Sequence, residues 1–129
     1  MTDETRAFFA ARPGAVPIYE AFEAMLFARF PDTEMRVQKT QISFYASCGY
    51  VSVSLPARKV PWVSRPYMML SVYLPFRLDS GRVFAASEPY PGRFTHHIPI
   101  DSPGAIDCEL IGWISEAHAF ARARRGRHT

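Results

Sequence analysis

The sequence has 129 residues, 48% of them hydrophobic and 21% charged, which is typical of one globular domain and excludes a disordered or fibrous protein. The formal charge is +3, but the arginines at positions 122, 124, 125 and 127 contribute +4, so the rest of the chain carries −1. The basic charge therefore belongs to the C-terminal end and does not by itself indicate nucleic-acid binding. No apolar run reaches about eighteen residues, and acids stand near the N-terminus where a secretion signal has basic residues, so we expect neither a membrane span nor export.

The two cysteines, Cys48 and Cys108, lie far apart and outside any C-x-x-C pattern. Such spacing favours reduced thiols over a disulfide framework, and we therefore expect a cytoplasmic location. We predict one domain over residues 1–129, in which residues 1–15 form an N-terminal extension or a short helix and residues 121–129 form a basic C-terminal tail.

The first element with a clear period is a helix that begins at Pro17 and ends before Pro31. Its apolar side chains recur at helical spacing and share one face: Ile18, Phe22, Met25 and Leu26.

Alternation with a period of two then predicts β-strands in three stretches, residues 35–54, 67–74 and 93–100. A turn at residues 47–49 divides the first stretch into a hairpin of two strands. Residues 82–86 are compatible with a further short edge strand, and residues 57–66, which show no period, are predicted to form a loop. The sheet is therefore predicted to have four or five strands.

The last predicted element is a long amphipathic helix. Ser102 is its expected N-cap and Pro103 its first residue. An apolar stripe follows at helical spacing: Ile106, Leu110, Trp113, Ile114 and Ala117. The predicted fold class is α+β, an antiparallel sheet of four or five strands flanked by an N-terminal helix and a long C-terminal helix, in the order α-β-β-β-(β)-β-α.

Successive side chains of a strand point to opposite faces, so the alternation assigns each strand residue to one face of the sheet. One face is apolar and is predicted to form the core with the helices: Ile42, Phe44, Val51, Val53, Leu55, Met68, Leu70, Val72, Leu74, Phe94, Ile98 and Ile100. The other, the polar face, is rich in tyrosine and serine and nearly free of acids: Lys39, Gln41, Ser43, Tyr45, Tyr50, Ser52, Ser54, Tyr67, Ser71, Tyr73, Arg93, Thr95 and His97.

Nine residues of the polar face form the candidate binding face: Lys39, Gln41, Ser43, Tyr45, Tyr67, Tyr73, Arg93, Thr95 and His97. Tyrosines combine apolar contact area with a hydroxyl group, and Lys39 and Arg93 add positive charge, which suits a small anionic or planar ligand or a protein partner. The leading hypothesis is a non-catalytic binding or interaction module. A face left to solvent and a homodimer that buries the tyrosines are also compatible with the pattern.

Two other functions fit the same residues. A small enzyme would use His97 as general acid or base, with Lys39 or Arg93 stabilising a developing anion. A nucleic-acid-associated domain would stack bases on the tyrosines at positions 45, 50, 67 or 73 and contact phosphates with Lys39, Arg58, Lys59 and Arg93. His96 and His97 are neighbours in a strand and point to opposite faces, so they cannot bind one metal ion together, and His96 is predicted to be a hydrogen-bonded core residue. No metal or cofactor motif is present in the sequence, so neither is predicted.

Several segments of the sequence resemble the domain-of-unknown-function family 5655: KTQISF at residues 39–44, RLDS at 77–80, EPYPGRFTHH at 88–97, and residues 107–113 continuing to Glu116 and Ala117. The likeness runs from about residue 18 to residue 120, so the first fifteen or so residues fall outside it. It implies a standalone bacterial version of a domain that is fused elsewhere to uncharacterised or nuclease-like modules. It implies no activity and no functional residues.

Overall fold

The computed structural model describes residues 1–124 and arranges them as a six-stranded antiparallel sheet with helices packed on its apolar face. The helices are α1 (Asp3–Phe8), α2 (Val16–Arg29) and α3 (Cys108–Ala123), and short 3-10 helices occupy Phe9–Ala11, Pro13–Ala15 and Pro103–Ala105. The strands are β1 (Glu34–Val37), β2 (Gln41–Ala46), β3 (Cys48–Ser54), β4 (Met68–Leu74), β5 (Ala85–Tyr90) and β6 (Arg93–Ile100), in the spatial order β1-β2-β3-β4-β6-β5. The predicted α+β class, with helices near both ends of the chain, is confirmed.

The described residues form six strands instead of the predicted four or five. The first predicted strand is a hairpin, because the Gln38 N–H donates to the Gln41 carbonyl at 2.8 Å and turns the chain between β1 and β2. The sequence contains a signal for this turn. The core-facing residue before it, Val37, has an odd number, whereas those of β2 after it have even numbers, beginning at Ile42, so the alternation is interrupted between them. Val37 and Ile42 are paired across the hairpin. The edge strand predicted at residues 82–86 forms later in the chain, as β5, and pairs only with β6.

The core lies between the apolar face of the sheet and the helices. Of the twelve predicted core residues, ten are fully buried at 0% exposure, and the other two, Leu55 and Phe94, are half-buried. The N-terminal segment contributes to the same core, because Phe9 is 1% exposed and its ring centroid lies 4.8 Å from that of Tyr19 on α2.

Tyr50 is a correction to the predicted polar face. The register between β2 and β3 shifts next to Tyr45, so that Phe44 is opposite Val51 while Tyr45 is opposite Gly49. The extra residue, Tyr50, forms a β-bulge, which breaks the strict alternation of side chains. Its side chain is buried on the helix side, where its hydroxyl is 2.6 Å from that of Thr33, and burial raises the pKa of Tyr50 to about 12.

The predicted start of the last helix is wrong. Ser102 precedes a short 3-10 helix and makes no side-chain cap. Asp107 caps α3 instead, because its backbone is extended and its carboxylate accepts the Leu110 N–H at 3.0 Å. At the other end, Arg122 pairs with Asp32, whereas the arginines at positions 125 and 127 of the predicted basic tail lie outside the described residues.

Candidate functional site

The polar face carries a row of serines that ends at a histidine. In the strand register Ser43 on β2 is opposite Ser52 on β3, Ser52 is opposite Ser71 on β4, and Ser71 is opposite His97 on β6. The three serines are buried, and the Ser71 hydroxyl lies 2.8 Å from Nδ1 of His97. This hydrogen bond fixes the orientation of the His97 ring.

A row of tyrosines runs beside the serine row. Tyr45 is opposite Gly49, and Tyr73 on β4 is opposite Thr95 on β6. A Cβ atom at Gly49 would lie 3.6 Å from the Tyr45 ring and 4.0 Å from the Tyr73 ring, so both rings lie next to this glycine. The Tyr73 hydroxyl lies 2.8 Å from the Ser52 hydroxyl, which joins the two rows.

These rows bring together most of the candidate binding face. Six of the nine predicted residues lie in the central part of the polar face: Gln41, Ser43, Tyr45, Tyr73, Thr95 and His97. The Gln41 side-chain amide donates to the Ser43 hydroxyl at 2.7 Å, so that part of this face is an internally hydrogen-bonded surface.

The two predicted cations are not brought to His97. Arg93 starts β6, four residues before His97 and therefore about 13 Å away along the strand, and its guanidinium lies over the Tyr90 ring at 5.6 Å. Lys39 is exposed in the turn after β1, and both β3 and β4 stand between β2 and the strand of His97. A cation that acts together with His97 must come from another part of the chain.

Tyr67, the ninth predicted residue, is buried and anchors residues 57–66, which we call the basic loop. Its hydroxyl donates to the Arg58 carbonyl at 2.6 Å. Arg12 closes the base of this loop, because its guanidinium donates to the Tyr67 carbonyl at 2.8 Å and to the Pro56 carbonyl at 2.6 Å. The same guanidinium lies 4.9 Å from the centre of the Tyr67 ring. Both ends of the basic loop are therefore held by one side chain from the N-terminal segment.

The basic loop places Arg58 next to His97. The two residues line one cavity of about 180 Å³ together with Ser54, Met69, Phe84 and two further residues. The Arg58 guanidinium lies 5.2 Å from the centre of the Phe84 ring. Burial lowers the pKa of His97 below its ordinary 6.5, and the charge of Arg58 lowers it further, so His97 is neutral at neutral pH.

A larger cavity, of about 650 Å³, shares Arg58 with the small one. Its lining includes four cationic side chains, Arg12, Arg58, Lys59 and Arg65, and no carboxylate. Arg65 has an acidic neighbour in Asp101, with 3.7 Å between Nε and the carboxylate oxygen. The sequence predicted a loop here and offered Arg58 and Lys59 as phosphate contacts in the nucleic-acid hypothesis, but it did not place Arg58 beside His97, because a segment without a period does not show where its side chains point. The cluster of cations between Pro56 and Pro66 was the available signal.

His96 lies on the opposite face, as predicted. It is fully buried, its Nε2 accepts the Leu78 N–H at 2.9 Å, and its Nδ1 donates to the Val72 carbonyl at 3.3 Å. Both ring nitrogens are thus used by the backbone, and burial lowers the pKa of this histidine as well. Within residues 1–124 there is no group of three His, Cys, Asp or Glu side chains placed to hold a metal ion. The same part of the chain has no helix with the length and apolar character that crossing a membrane requires.

Comparison with known proteins identifies a family and nothing closer. No curated protein and no solved structure matches the sequence. Residues 5–121 match the family described as "Domain of unknown function (DUF5655)". The match includes most of the N-terminal segment, which corrects the expectation that the first fifteen or so residues lie outside the family likeness. Since the match covers nearly the whole sequence, the chain belongs to the DUF5655 family.

Proposed function

We propose that the domain is a non-catalytic binding module that takes a small anionic ligand on the polar face, between His97 and Arg58. The observation that carries this proposal is the cavity of about 180 Å³ that both residues line without any carboxylate. Its volume lies below the ~300–1,000 Å³ of sites for drug-sized molecules. It therefore suits one charged group, such as a phosphate, sulfate or carboxylate. A cytoplasmic location belongs to the same proposal, and it is supported by the spacing of the two cysteines in the sequence, which lie in no C-x-x-C pattern.

The chemistry of the two side chains supports an anion. Arg58 carries a positive charge and presents a planar set of donors that matches a carboxylate or a phosphate. When the Ser71 hydroxyl donates to Nδ1 of His97, the proton of the neutral ring is on Nε2, which becomes a second donor. Ser54 adds a hydroxyl group, and Met69 and Phe84 provide apolar walls that strengthen both interactions by excluding water.

Catalysis by His97 has less support from the same geometry. Its Nδ1 is occupied by Ser71, whereas serine hydrolases orient this nitrogen with a carboxylate. No acid lines the cavity, and the cations proposed to stabilise an anion, Lys39 and Arg93, do not line it either.

The proposal is tested by titrating the protein with inorganic sulfate, which keeps its charge between about pH 6 and pH 8, while NMR follows the ring protons of His97. We expect saturable shifts at His97 and tighter binding at about pH 6, because an anion favours the protonated ring. Arg58→Gln should abolish saturation of the His97 shifts, and His97→Gln should abolish saturable shifts of the backbone amides of Met69 and Ala85, which line the same cavity. Arg36→Gln is the matched control, because Arg36 is a cation of the polar face that lies over the Tyr45 ring and lines neither cavity. Equal effects of Arg36→Gln and Arg58→Gln would show that the shifts report only the general charge, and the proposal would fail.

A further inference from the structure

We propose that the basic loop binds single-stranded nucleic acid, with bases stacked on Trp62 and phosphates held by Arg58, Lys59 and Arg65; this inference rests on the proposed anion site, since Arg58 belongs to both. The first observation is the position of Trp62. Its side chain is 54% exposed, and it lies in the middle of the basic loop. A tryptophan with half of its surface exposed offers a ring face on which an unpaired base can stack.

Trp62 is held in place beside the proposed anion site. Its ring centroid lies 6.0 Å from that of Phe84, with 62° between the ring planes. Phe84 lines the small cavity and also carries the Arg58 guanidinium. Trp62, Phe84 and Arg58 thus form one cluster, in which an exposed indole neighbours a cation that is already placed by stacking.

The charge of the loop matches a polyanion. Arg58, Lys59 and Arg65 are all exposed and all line the cavity of about 650 Å³, which has no carboxylate in its lining. Arg12 lines it too, but its guanidinium is used by the two backbone carbonyls at the base of the loop. Arg65 has Asp101 at 3.7 Å from its Nε, but 62% of its side chain is exposed, which leaves it accessible to a phosphate. Three cations thus flank one exposed aromatic ring within eight residues of sequence, which is the combination that single-strand binding proteins use.

A single strand fits this arrangement better than a duplex or an acidic protein. Bases in a duplex stack on each other and leave no face for Trp62, whereas unpaired bases stack on aromatic side chains. An acidic protein would satisfy the cations but would not require the face of an indole ring. Dependence of binding on Trp62 therefore separates these partners.

The experiment measures fluorescence anisotropy of a labelled oligothymidylate of about 12 nucleotides with the full chain. Contacts from three cations to phosphates predict that raising salt from about 50 to about 200 mM weakens binding about 20-fold, at a slope of about −0.7 for each phosphate. Trp62→Ala should weaken binding by about 5- to 150-fold, with partial retention in Trp62→Phe. Lys59→Gln should reduce the salt slope by about 0.7.

Phe76→Ala is the control for loss of an exposed aromatic residue, because Phe76 is 40% exposed and follows the other end of β4. Equal binding of wild type and Trp62→Ala would overturn the inference, and so would equal affinity for a duplex or for thymidine monophosphate. Sulfate binding at His97 without any oligonucleotide binding would overturn this inference alone and leave the anion site standing. Oligonucleotide binding that depends on Trp62 and Arg58 but not on His97 would support the loop as a platform and count against the anion site.

Discussion

Arg12→Ala should destabilise the domain by about 3 kcal/mol, because it removes the side chain that joins both ends of the basic loop. The guanidinium donates to the Pro56 carbonyl at 2.6 Å and to the Tyr67 carbonyl at 2.8 Å. A hydrogen bond from a charged group contributes about 1.5–3 kcal/mol, and the lower value applies here because Arg12 is only partly buried. Two such bonds give about 3 kcal/mol. The variant also loses the contact with the Tyr67 ring, which contributes about 0.5–1 kcal/mol. Hydrogen bonds from water to the freed carbonyls offset this additional loss.

Equilibrium unfolding in urea measures this loss. With a slope of about 2 kcal/mol per molar urea, the unfolding midpoint of Arg12→Ala should fall by about 1.5 M. Arg12→Lys should fall between the variant and the wild type, because an ammonium group keeps the charge but lacks the planar fork that reaches two carbonyls. Arg6→Ala provides the control, since Arg6 is an exposed cation of α1 and its loss should change stability by less than about 0.5 kcal/mol. If Arg12→Ala unfolds at the midpoint of Arg6→Ala, Arg12 does not hold the loop as described.

Three further predictions concern other parts of the same structure. Because burial holds the pKa of His97 below 6.5, the unfolded chain binds more protons in that range, so stability should fall as pH drops from about 7.5 to about 5.5. Urea unfolding at several pH values should show a shallower dependence for His97→Gln, and an unchanged dependence would contradict the assignment. Thr33→Val and Tyr50→Phe remove one shared hydrogen bond of 2.6 Å, so each should cost about 1 kcal/mol and the double variant less than the sum; fully additive costs would mean that the bond contributes nothing. Asp107→Ala removes the cap on the Leu110 N–H and should cost about 1 kcal/mol in thermal unfolding, whereas Asp107→Asn should keep most of that stability. Equal losses in these two variants would argue against capping.

The sequence predicted the core face well and the irregular positions poorly. Alternating apolar residues identified ten fully buried side chains, because burial of each contributes about 1.5–3 kcal/mol and a shift of one residue would expose a whole strand. The alternation placed Tyr50 on the wrong face of the sheet. A single extra residue in β3 moves the Tyr50 side chain to the other face without changing the composition of the strand. Ser102 failed as a cap because both it and Asp107 are good N-cap residues, and local preference does not say which of them starts the regular helix.

In the candidate site, too, the sequence predicted some features and not others. Alternation placed Ser71 and His97 on one face, and the antiparallel register then made them neighbours. The alternation could not predict which cation approaches His97, because it assigned Lys39 and Arg93 to the same face as His97 although both are distant from it. Strand pattern therefore determines the face of a side chain, while distance within that face depends on strand order.

By itself, then, the sequence determined the fold class, the core and the polar face, because these depend on periodic burial within each element. Only the tertiary structure decided that the basic loop folds toward His97 and brings Arg58 to it. The contacts that hold this loop join Arg12 to carbonyls 44 and 55 residues further along the chain. No local pattern encodes such contacts, since they join residues far apart in the sequence and depend on how the helices and the sheet pack together.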